Sequence, residues 1–312
     1  MIFLKVIAKF FFIVALFLLS FFLWLHSGTA QNTLWMSEQQ DIEEKKSDKQ
    51  ETREQKVQVT RQDGTVLKLD VETYLEGVVG SEMPASFEME ALKAQCVAAR
   101  TFVKKRNYEV DDTTRTQVYH DDQQMRQIWG ANYEKLHARV VKAIEETKGE
   151  VMTYEGKVIS AVFFSGSCGK TANSEEYWQS KTPYLRSVDS HWDKDEEGYE
   201  QEVTFNEDKF HELLGFANKV SRIEKPVYYD SGYVKSITID KITFTGREIR
   251  EKLGLRSSSF TIKKDKGKIR IQTKGFGHGL GMSQYGAQGM AKEGYTYKEI
   301  LTHYYTGVKI GK

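Results

Sequence analysis

Residues 274–286 limit the backbone of this chain more than any other segment, because glycine occupies every second position from Gly275 to Gly281 and recurs at Gly286. A glycine backbone, which carries no Cβ atom, adopts left-handed conformations that other residues avoid. A segment of this kind either turns tightly or brings its backbone close to a ligand. It is not a dinucleotide-binding fingerprint, because no strand–helix unit of the required spacing surrounds it. We therefore expect an irregular loop here.

Three polar side chains of this loop are candidates for contact with a substrate. His278 lies between two glycines, so it is either exposed or carried on backbone that can reach a ligand. Gln284 and Tyr285 follow, and both side chains can donate and accept hydrogen bonds. We expect His278 to line a binding cleft, and the alternative is that it only braces the loop.

A single carboxylate stands before the long helix that the pattern predicts over residues 88–106. Glu82 is placed in a turn, with the apolar residues Met83, Pro84 and Phe87 close behind it. Such neighbours desolvate a carboxyl group and make it hold its proton more tightly, which suits a general acid. The turn should be stiff, because Pro84 restricts the preceding residue to extended geometry. The alternative is a carboxylate that interacts favourably with the dipole of the following helix.

Two residues of this predicted helix have unusual surroundings. Arg100 is the only charged residue between Ala94 and Val103, so it either pairs with a buried acid or lines a binding site. Cys96 lies on the apolar face, where a buried, reduced thiol is the preferred interpretation. Cys168 is the only other cysteine of the chain. A single disulfide is therefore the alternative, and an all-cysteine zinc site is excluded.

Residues 165–171 predict a tight turn that follows a strand and is rich in small hydroxyl residues. Ser165, Ser167 and Cys168 are candidates for binding a sugar, because such a turn offers N–H groups and hydroxyls to sugar oxygens. Tyr177, a little further along, can stack on a sugar ring, and core packing is the alternative. The same turn also permits a cysteine hydrolase, with this cysteine as nucleophile and the histidine of the glycine loop as base.

The first part of the chain differs in composition from the rest. An uncharged apolar run of 16 residues, Phe10–Leu25, follows two lysines. It predicts a membrane anchor over residues 1–30, with the N terminus in the cytoplasm. A cleaved signal peptide is the alternative, and both place the bulk of the chain outside the cytoplasm. Residues 31–56 are dense in charge and predict a solvated linker.

Residues 57–312 predict a mixed α/β ectodomain, and we assign the chain to the α+β class. Residues 195–272 have a weaker pattern and predict a candidate inserted subdomain. The net charge of +1 gives no indication of a nucleic-acid partner. The expected elements are strands at 57–60, 66–69, 151–154, 158–164, 234–239 and 269–272, and helices around 74–79, at 88–106, 133–147, 245–254, 282–292 and 297–305.

Several of these segments together resemble the stage II sporulation protein D family of endospore-forming bacteria. The resemblance covers most of residues 57–312 and is most specific in its last block. The matching segments are Ser81-Glu82-Met83-Pro84, Glu90 to Gln95, Ala98 to Thr101, Ser165 to Thr171, Pro183 to Val188 and Gly275 to Ala287.

The resemblance implies a membrane-anchored lytic transglycosylase that acts between the mother-cell and forespore membranes during engulfment. It would cleave the bond between N-acetylmuramic acid (MurNAc) and N-acetylglucosamine (GlcNAc) in the glycan strands of septal peptidoglycan and leave 1,6-anhydroMurNAc ends. Glu82 would be the catalytic acid, without a cofactor. The implied partners are an amidase and a membrane protein of the same engulfment complex. The alternative, from related amidase enhancers, is a peptidoglycan-binding activator of a cell-wall amidase without chemistry of its own.

The chain departs from the family pattern in two places. Some members carry a cysteine–histidine zinc site in the segment that ends in Gln-Val-Tyr, where this chain has Val110 to Tyr119 without a cysteine or histidine. We therefore expect no metal there. The pair Ser167-Cys168 replaces the usual pair of small residues in the serine–glycine turn.

Overall fold

The computed structural model describes residues 56–195, 197–216 and 222–312. The region predicted as membrane anchor and nearly all of the predicted linker, residues 1–55, lie outside them. Within the described part of the chain, no helix combines the length and the apolar character needed to cross a bilayer. The anchor and the single-pass topology therefore stay predictions.

Helices and short strands alternate along the described chain, which confirms the expected mixed α/β character. The helices are α1 (Val71–Glu82), α2 (Met89–Lys105), α3 (Asp122–Trp129), α4 (Tyr133–Glu146), α5 (Ser174–Tyr177), α6 (Glu207–Leu214), α7 (Gly246–Leu253), α8 (Gln284–Lys292) and α9 (Tyr297–Tyr304), with 3-10 turns at Gly130–Asn132 and His191–Asp195. The strands are β1 (Val57–Thr60), β2 (Val66–Leu69), β3 (Glu109–Asp111), β4 (Val151–Tyr154), β5 (Lys157–Val158), β6 (Phe163–Phe164), β7 (Glu200–Asn206), β8 (Val227–Tyr228), β9 (Val234–Ile239), β10 (Ile242–Phe244), β11 (Phe260–Asp265), β12 (Lys268–Lys274), β13 (Met282–Ser283) and β14 (Lys309–Gly311).

The described strands form five small sheets. β1 pairs antiparallel with β2 and parallel with β3, so that Val59 lies between Leu67 and Val110. β12 lies between β7 and β11, both antiparallel to it, with Ile271 opposite Val203. The remaining sheets have the orders β10–β9–β8 and β14–β4–β5, and β6 pairs in parallel with β13.

Helix α2 lies at the centre of the larger hydrophobic core. It contacts α1, α4, α8 and α9, and its small residues Ala91, Ala94, Ala98 and Ala99 are fully buried. Alanine favours the helix and lets neighbouring helices approach closely. Because α1 precedes α2 while α8 and α9 come from the C-terminal end of the chain, α2 holds the two ends of the described chain together.

A second, smaller core is built where the inserted subdomain is expected. β9, β11 and β12 pack with α6 and α7, and Phe210, Ile237, Ile249 and Phe260 are buried together. The predicted helix after Thr245 is confirmed as α7, which begins with a capping box and ends at Gly254 in a left-handed conformation. The boundaries of a subdomain stay a prediction.

The prediction of one strand over residues 158–164 is wrong for residues 159–162, which do not belong to a strand. β5 ends at Val158, and β6 is confined to Phe163–Phe164, which pairs with Met282–Ser283. The same pairing shortens the helix predicted at 282–292. α8 therefore begins at Gln284, after a pairing between segments more than 100 residues apart that leaves no local pattern in either one.

Candidate active site

Glu82 is the last residue of α1, so it ends a helix instead of standing in the turn that the sequence predicts. The chain leaves the helix at Met83 in an extended conformation (φ −130°, ψ 139°). The carboxyl group is partly buried, and its Oε1 accepts a hydrogen bond from the Val118 N–H at 2.6 Å. Burial raises the pKa of Glu82 to about 7, although the Val118 N–H lowers it. The negative end of the α1 dipole acts in the same direction as burial. The carboxyl group therefore holds its proton up to neutral pH.

Residues 118–120 can pack closely against α1, next to Glu82, because the helix residue that they contact, Gly77, has no side chain. A Cβ atom at Gly77 would collide with the Tyr119 ring and lie 2.5 Å from the His120 carbonyl oxygen. Without that atom, Tyr119 stacks on Tyr74, with ring centroids 5.8 Å apart. This contact is absent from the sequence-based expectations, although a glycine inside a helical pattern is a signal for close packing.

The last matching block of the chain, Gly275 to Ala287, contacts the segment from Ser81 to Phe87, here called the Glu82 segment, directly. Gln284 Nε2 donates a hydrogen bond to the Glu82 carbonyl oxygen at 2.9 Å. The Tyr285 ring packs edge-on against Phe87, with centroids 5.1 Å apart. The Tyr285 N–H donates to the Ser165 carbonyl oxygen at 3.0 Å. Of the three residues expected at the substrate, Gln284 and Tyr285 thus contact the Glu82 segment, and Ser165 is joined to it through Tyr285.

The glycine loop packs closely against the backbone of Val162 and Gly166. A Cβ atom at Gly281 (φ 73°) would collide with the Val162 carbonyl oxygen. Phe276 and Gly166 exchange two backbone hydrogen bonds, of 2.7 and 2.9 Å. The glycines therefore serve close packing of the loop against the serine-rich turn at residues 165–171, whose Ser165 in turn bonds to the Tyr285 N–H.

His278 is held by contacts inside the loop and by two aromatic rings. Its Nδ1 accepts a hydrogen bond from the Leu280 N–H at 3.0 Å. The imidazole lies 5.5 Å from the Phe164 ring and 5.7 Å from the Tyr177 ring. Burial and the nearby Arg250 cation lower the pKa of His278 to about 4, so the ring is neutral at physiological pH. These contacts favour the bracing alternative, and no hydrogen bond or ring contact among the described residues joins it to Glu82.

Ser167 belongs to a buried cluster around a carboxylate that the sequence analysis does not single out. Its Oγ donates to Asp193 Oδ2 at 2.5 Å, and both residues are fully buried. Ser190 and Ser283 donate to the same carboxylate at 2.6 and 2.5 Å. Burial raises the pKa of Asp193, and the three hydroxyls oppose this shift. The structure thus gives Ser167 a packing role and does not support its expected contact with a substrate.

Arg100 is paired with an acid, Glu72, which corresponds to one of its two expected roles except that this acid is only partly buried. Its side chain binds both carboxylate oxygens of Glu72, at 2.6 and 3.0 Å, and a third bond of 3.2 Å reaches the Glu150 carbonyl oxygen. Arg100 itself is 3% exposed. Glu72 lies in the first turn of α1, about 15 Å along the helix axis from Glu82. The ion pair therefore joins α1 to α2 and does not support the expected contact of Arg100 with a substrate.

The two cysteines are both free thiols. Cys96 is buried, as expected. Cys168 Sγ donates to the Ser231 carbonyl oxygen at 3.4 Å, and burial raises the pKa of its thiol. A nucleophilic cysteine needs a lowered pKa, and no hydrogen bond among the described residues joins Cys168 to His278. The geometry therefore disfavours both the disulfide and the cysteine hydrolase.

Hydrogen bonds hold the segment where some family members place zinc. Asp111 Oδ1 accepts bonds from the N–H and hydroxyl of Thr113, at 2.9 and 2.5 Å. Thr116 Oγ donates to the Asp111 carbonyl oxygen at 2.7 Å. Across the described ranges, no group of three or more His, Cys, Asp or Glu side chains could hold a metal ion. The absence of zinc stays a prediction, which elemental analysis of the purified protein tests.

Comparison of the sequence with known proteins shows the family to which the chain belongs. A family model described as stage II sporulation protein (SpoIID) matches residues 59–154, which include Glu82 and Val118. Stage II sporulation protein D of Bacillus amyloliquefaciens and that of Bacillus subtilis are each 42% identical over 261 residues, which cover 80% of this chain and 76% of the relative. The amidase enhancer of Bacillus subtilis is 33% identical over 293 residues, which cover 76% of this chain and 40% of that protein. The chain therefore belongs to the family of stage II sporulation protein D.

Proposed function

We propose that the protein is a membrane-anchored lytic transglycosylase that cleaves the MurNAc–GlcNAc bond of septal peptidoglycan during engulfment. The observation that carries the proposal is the Glu82 carboxyl group, whose pKa burial raises to about 7. It lies in the Ser81-Glu82-Met83-Pro84 segment that resembles the family motif. A carboxyl group with this pKa is protonated often enough to act as an acid at neutral pH and ionised often enough to act as a base.

The mechanism uses this carboxyl group twice. Protonated Glu82 gives its proton to the glycosidic oxygen, and the bond from that oxygen to C1 of MurNAc breaks with its electron pair on the leaving oxygen. The 6-hydroxyl of the same MurNAc then forms a bond to C1, and its proton passes to the Glu82 carboxylate. The products are a 1,6-anhydroMurNAc end and a free GlcNAc hydroxyl, so no water is consumed and Glu82 returns to its protonated form.

The surroundings of Glu82 support a mechanism with one carboxyl group. Hydrolytic glycosidases usually place a second carboxylate about 5 to 10 Å from the first, to act as a nucleophile or to activate water. Such a neighbour would act on the pKa of Glu82 through its charge. Among the described residues, burial and the Val118 N–H account for the shift of the Glu82 pKa, without a contribution from the charge of a second carboxylate. Asp112, an acid that shares a pocket with Val118, is paired with Arg61. Attack by the sugar's own 6-hydroxyl removes the need for a second carboxylate.

We assign supporting roles to the other residues that adjoin Glu82. Gln284 orients the end of α1 through its bond to the Glu82 carbonyl oxygen. Ser165 and Tyr285 are proposed to contact the glycan from the opposite side of this segment. Tyr177 lines a separate pocket of about 470 Å³ with the exposed Trp178, and these two rings are a proposed platform for a more distant sugar.

The products of digestion test the proposed function. The purified protein is incubated with isolated glycan strands, and the fragments are analysed by mass spectrometry. We expect 1,6-anhydroMurNAc ends with the wild-type chain and at least about 10²-fold slower formation of them with Glu82→Gln. Hydrated reducing ends would indicate a hydrolase, and intact strands with a folded wild-type chain would contradict any glycan-cleaving activity.

A second candidate is favoured by the similarity to the amidase enhancer. In that case the chain binds peptidoglycan and stimulates a cell-wall amidase without cleaving glycan. Under either function we propose that it acts with an amidase and a membrane protein of the engulfment complex. Faster release of stem peptides by the amidase, together with an absence of anhydro ends, would support the activator over the enzyme.

A further inference from the structure

A pocket of about 340 Å³ is lined mainly by residues between 112 and 124, the segment that covers Glu82. Val118, which donates to the Glu82 carboxylate, is part of its wall. The other lining side chains combine hydroxyls, amides, a carboxylate, an imidazole and one aromatic ring, including those of Thr113, Tyr119, His120 and Gln124. Such a lining suits a ligand rich in hydroxyl groups, because hydroxyls pair with these polar atoms.

The hydrogen bonds of Ser81 define the tautomer of His120. The Ser81 hydroxyl carries one hydrogen, which it donates to the Gly77 carbonyl oxygen at 2.5 Å. Ser81 Oγ also lies 2.8 Å from His120 Nδ1 and accepts the His120 backbone N–H at 3.2 Å. His120 Nδ1 must therefore be the donor of the ring contact. In the neutral imidazole, Nε2 is then left as a hydrogen-bond acceptor.

Asp112 closes one wall of the same pocket. It is 8% exposed, and its Oδ2 is paired with Arg61 Nε at 3.0 Å. Its Oδ1 is inaccessible to solvent and is therefore not offered to a ligand. The acceptor that matters for a ligand in this pocket is thus Nε2 of His120, and a ligand that matches it presents a hydroxyl hydrogen.

We infer that this pocket is the subsite for a sugar next to the bond that is cleaved, and that His120 is a positioning residue whose Nε2 accepts a hydrogen bond from a glycan hydroxyl. The inference rests on the proposed function for the identity of the ligand. It deepens that proposal by assigning a binding surface to the side of Glu82 that the Val118 segment covers.

Two substitutions of His120 separate binding from packing. Asparagine places an amide nitrogen near the position of Nδ1, so His120→Asn keeps a donor for Ser81 and removes the acceptor at Nε2. Glutamine places its amide near the position of Nε2, so His120→Gln restores an acceptor and loses the bond to Ser81. Each is made in the full-length chain that carries Glu82→Gln, so that the glycan is bound but not cut.

Affinity for soluble glycan strands and melting temperature are measured for each protein. We expect His120→Asn to raise the Kd roughly three- to tenfold, the loss of one neutral hydrogen bond, with little change in melting temperature. His120→Gln should recover part of the affinity although its melting temperature falls. The matched control is His191→Asn, because His191 is exposed and pairs with Asp189, and it should change neither the Kd nor the melting temperature.

The result distinguishes failure of this inference from failure of the proposed function. An unchanged Kd for His120→Asn, or a Kd that changes in parallel with melting temperature in both variants, would overturn the role of His120. An absence of glycan binding by the Glu82→Gln protein would overturn the subsite as a whole. The proposed activity is judged separately, from the anhydro ends produced by the chain that retains Glu82.

Discussion

Glu82 and Asp193 are both carboxyl groups whose pKa is raised by burial, yet their surroundings differ sharply. Asp193 is fully buried, and three serine hydroxyls donate to its two oxygens. Glu82 is partly exposed, and its carboxylate accepts one bond, from the Val118 N–H to Oε1. Among the described residues, no hydrogen bond reaches Glu82 Oε2.

The difference shows that burial alone does not identify a catalytic acid. The serines around Asp193 come from the turn at 165–171, from the segment before its own 3-10 turn and from β13, so this carboxylate joins three parts of the chain. Its oxygens are occupied. Glu82 keeps one oxygen available to a ligand while apolar neighbours keep the proton on it. A raised pKa indicates reactivity only where an oxygen is also accessible.

The largest effect that we expect is loss of catalysis in Glu82→Gln. Glutamine keeps the shape of the side chain but neither gives nor takes the proton, so glycan cleavage should fall by about 10² to 10⁴. The rate of anhydro-end formation measures the loss. Glu88→Gln, a change at a nearby exposed carboxylate, is the matched control and should retain wild-type activity. Substantial cleavage by folded Glu82→Gln would remove the distinction between the two carboxylates.

Asp193→Ala should mainly reduce stability. It leaves three buried hydroxyls without their acceptor, which we expect to lower the free energy of unfolding by about 2–4 kcal/mol. Denaturation in urea measures the change, with the exposed Asp230→Ala as control. The folded fraction should cleave glycan at close to the wild-type rate. A loss of turnover as large as that of Glu82→Gln would instead place Asp193 in the catalytic machinery.

The pH dependence of stability should reveal the raised pKa of Glu82. Between pH 4.5, its ordinary pKa, and about 7, the folded state binds more protons at Glu82 than the unfolded state does. This group therefore makes stability fall as pH rises through that window. Glu82→Gln removes the effect, so its free energy of unfolding should exceed that of the wild type increasingly up to pH 7, by at most about 3 kcal/mol.

The same titration predicts the alkaline limb of activity. Cleavage needs protonated Glu82, so turnover should decrease as pH rises above about 7. Asp193 remains in both proteins, so its titration cancels in the comparison of their stabilities. A constant difference in stability between pH 4.5 and 8 would contradict the raised pKa of Glu82.

His278→Ala should have the smallest effect on catalysis. The side chain packs between Phe164 and Tyr177 and accepts the Leu280 N–H, so its loss should lower stability by about 1–2 kcal/mol. The folded fraction should keep its specific activity within roughly twofold, as compared by melting temperature and initial rate. If the His278→Ala protein instead kept its stability and lost roughly tenfold in rate, the result would support the expected role of His278 in lining the glycan cleft.

The elements that could be predicted from the sequence are those that depend on residues close to one another in the chain. α2 and α4 follow from apolar residues at helical spacing, and α7 is bounded by Thr245 and Gly254. The hairpin of β1 and β2 follows from alternation around a turn. Glu82 could be selected as a candidate acid because its apolar neighbours Met83 and Phe87 are adjacent in the chain.

The contacts that define the site join residues far apart in the chain. Val118 reaches Glu82 across 36 positions, and Gln284 reaches it across 202. Ser167 has the composition of a sugar-binding turn, but its hydroxyl is used by Asp193, 26 positions away. Arg100 is the only charged residue of its stretch of the sequence, and its partner Glu72 lies on another helix. No local pattern contains these pairings.

The sequence by itself determined the helices with clear periodicity and the family motifs, because these depend on residue type and short-range spacing. Through the resemblance that these motifs carry, it also determined the choice of Glu82 as the candidate acid. Only the tertiary structure decided that Glu82 ends a helix, that the Val118 segment covers it, and that Ser167 and Arg100 are used in packing. The physical reason is that desolvation and hydrogen bonding of a side chain depend on what packs against it, and here the packing partners come from distant parts of the chain.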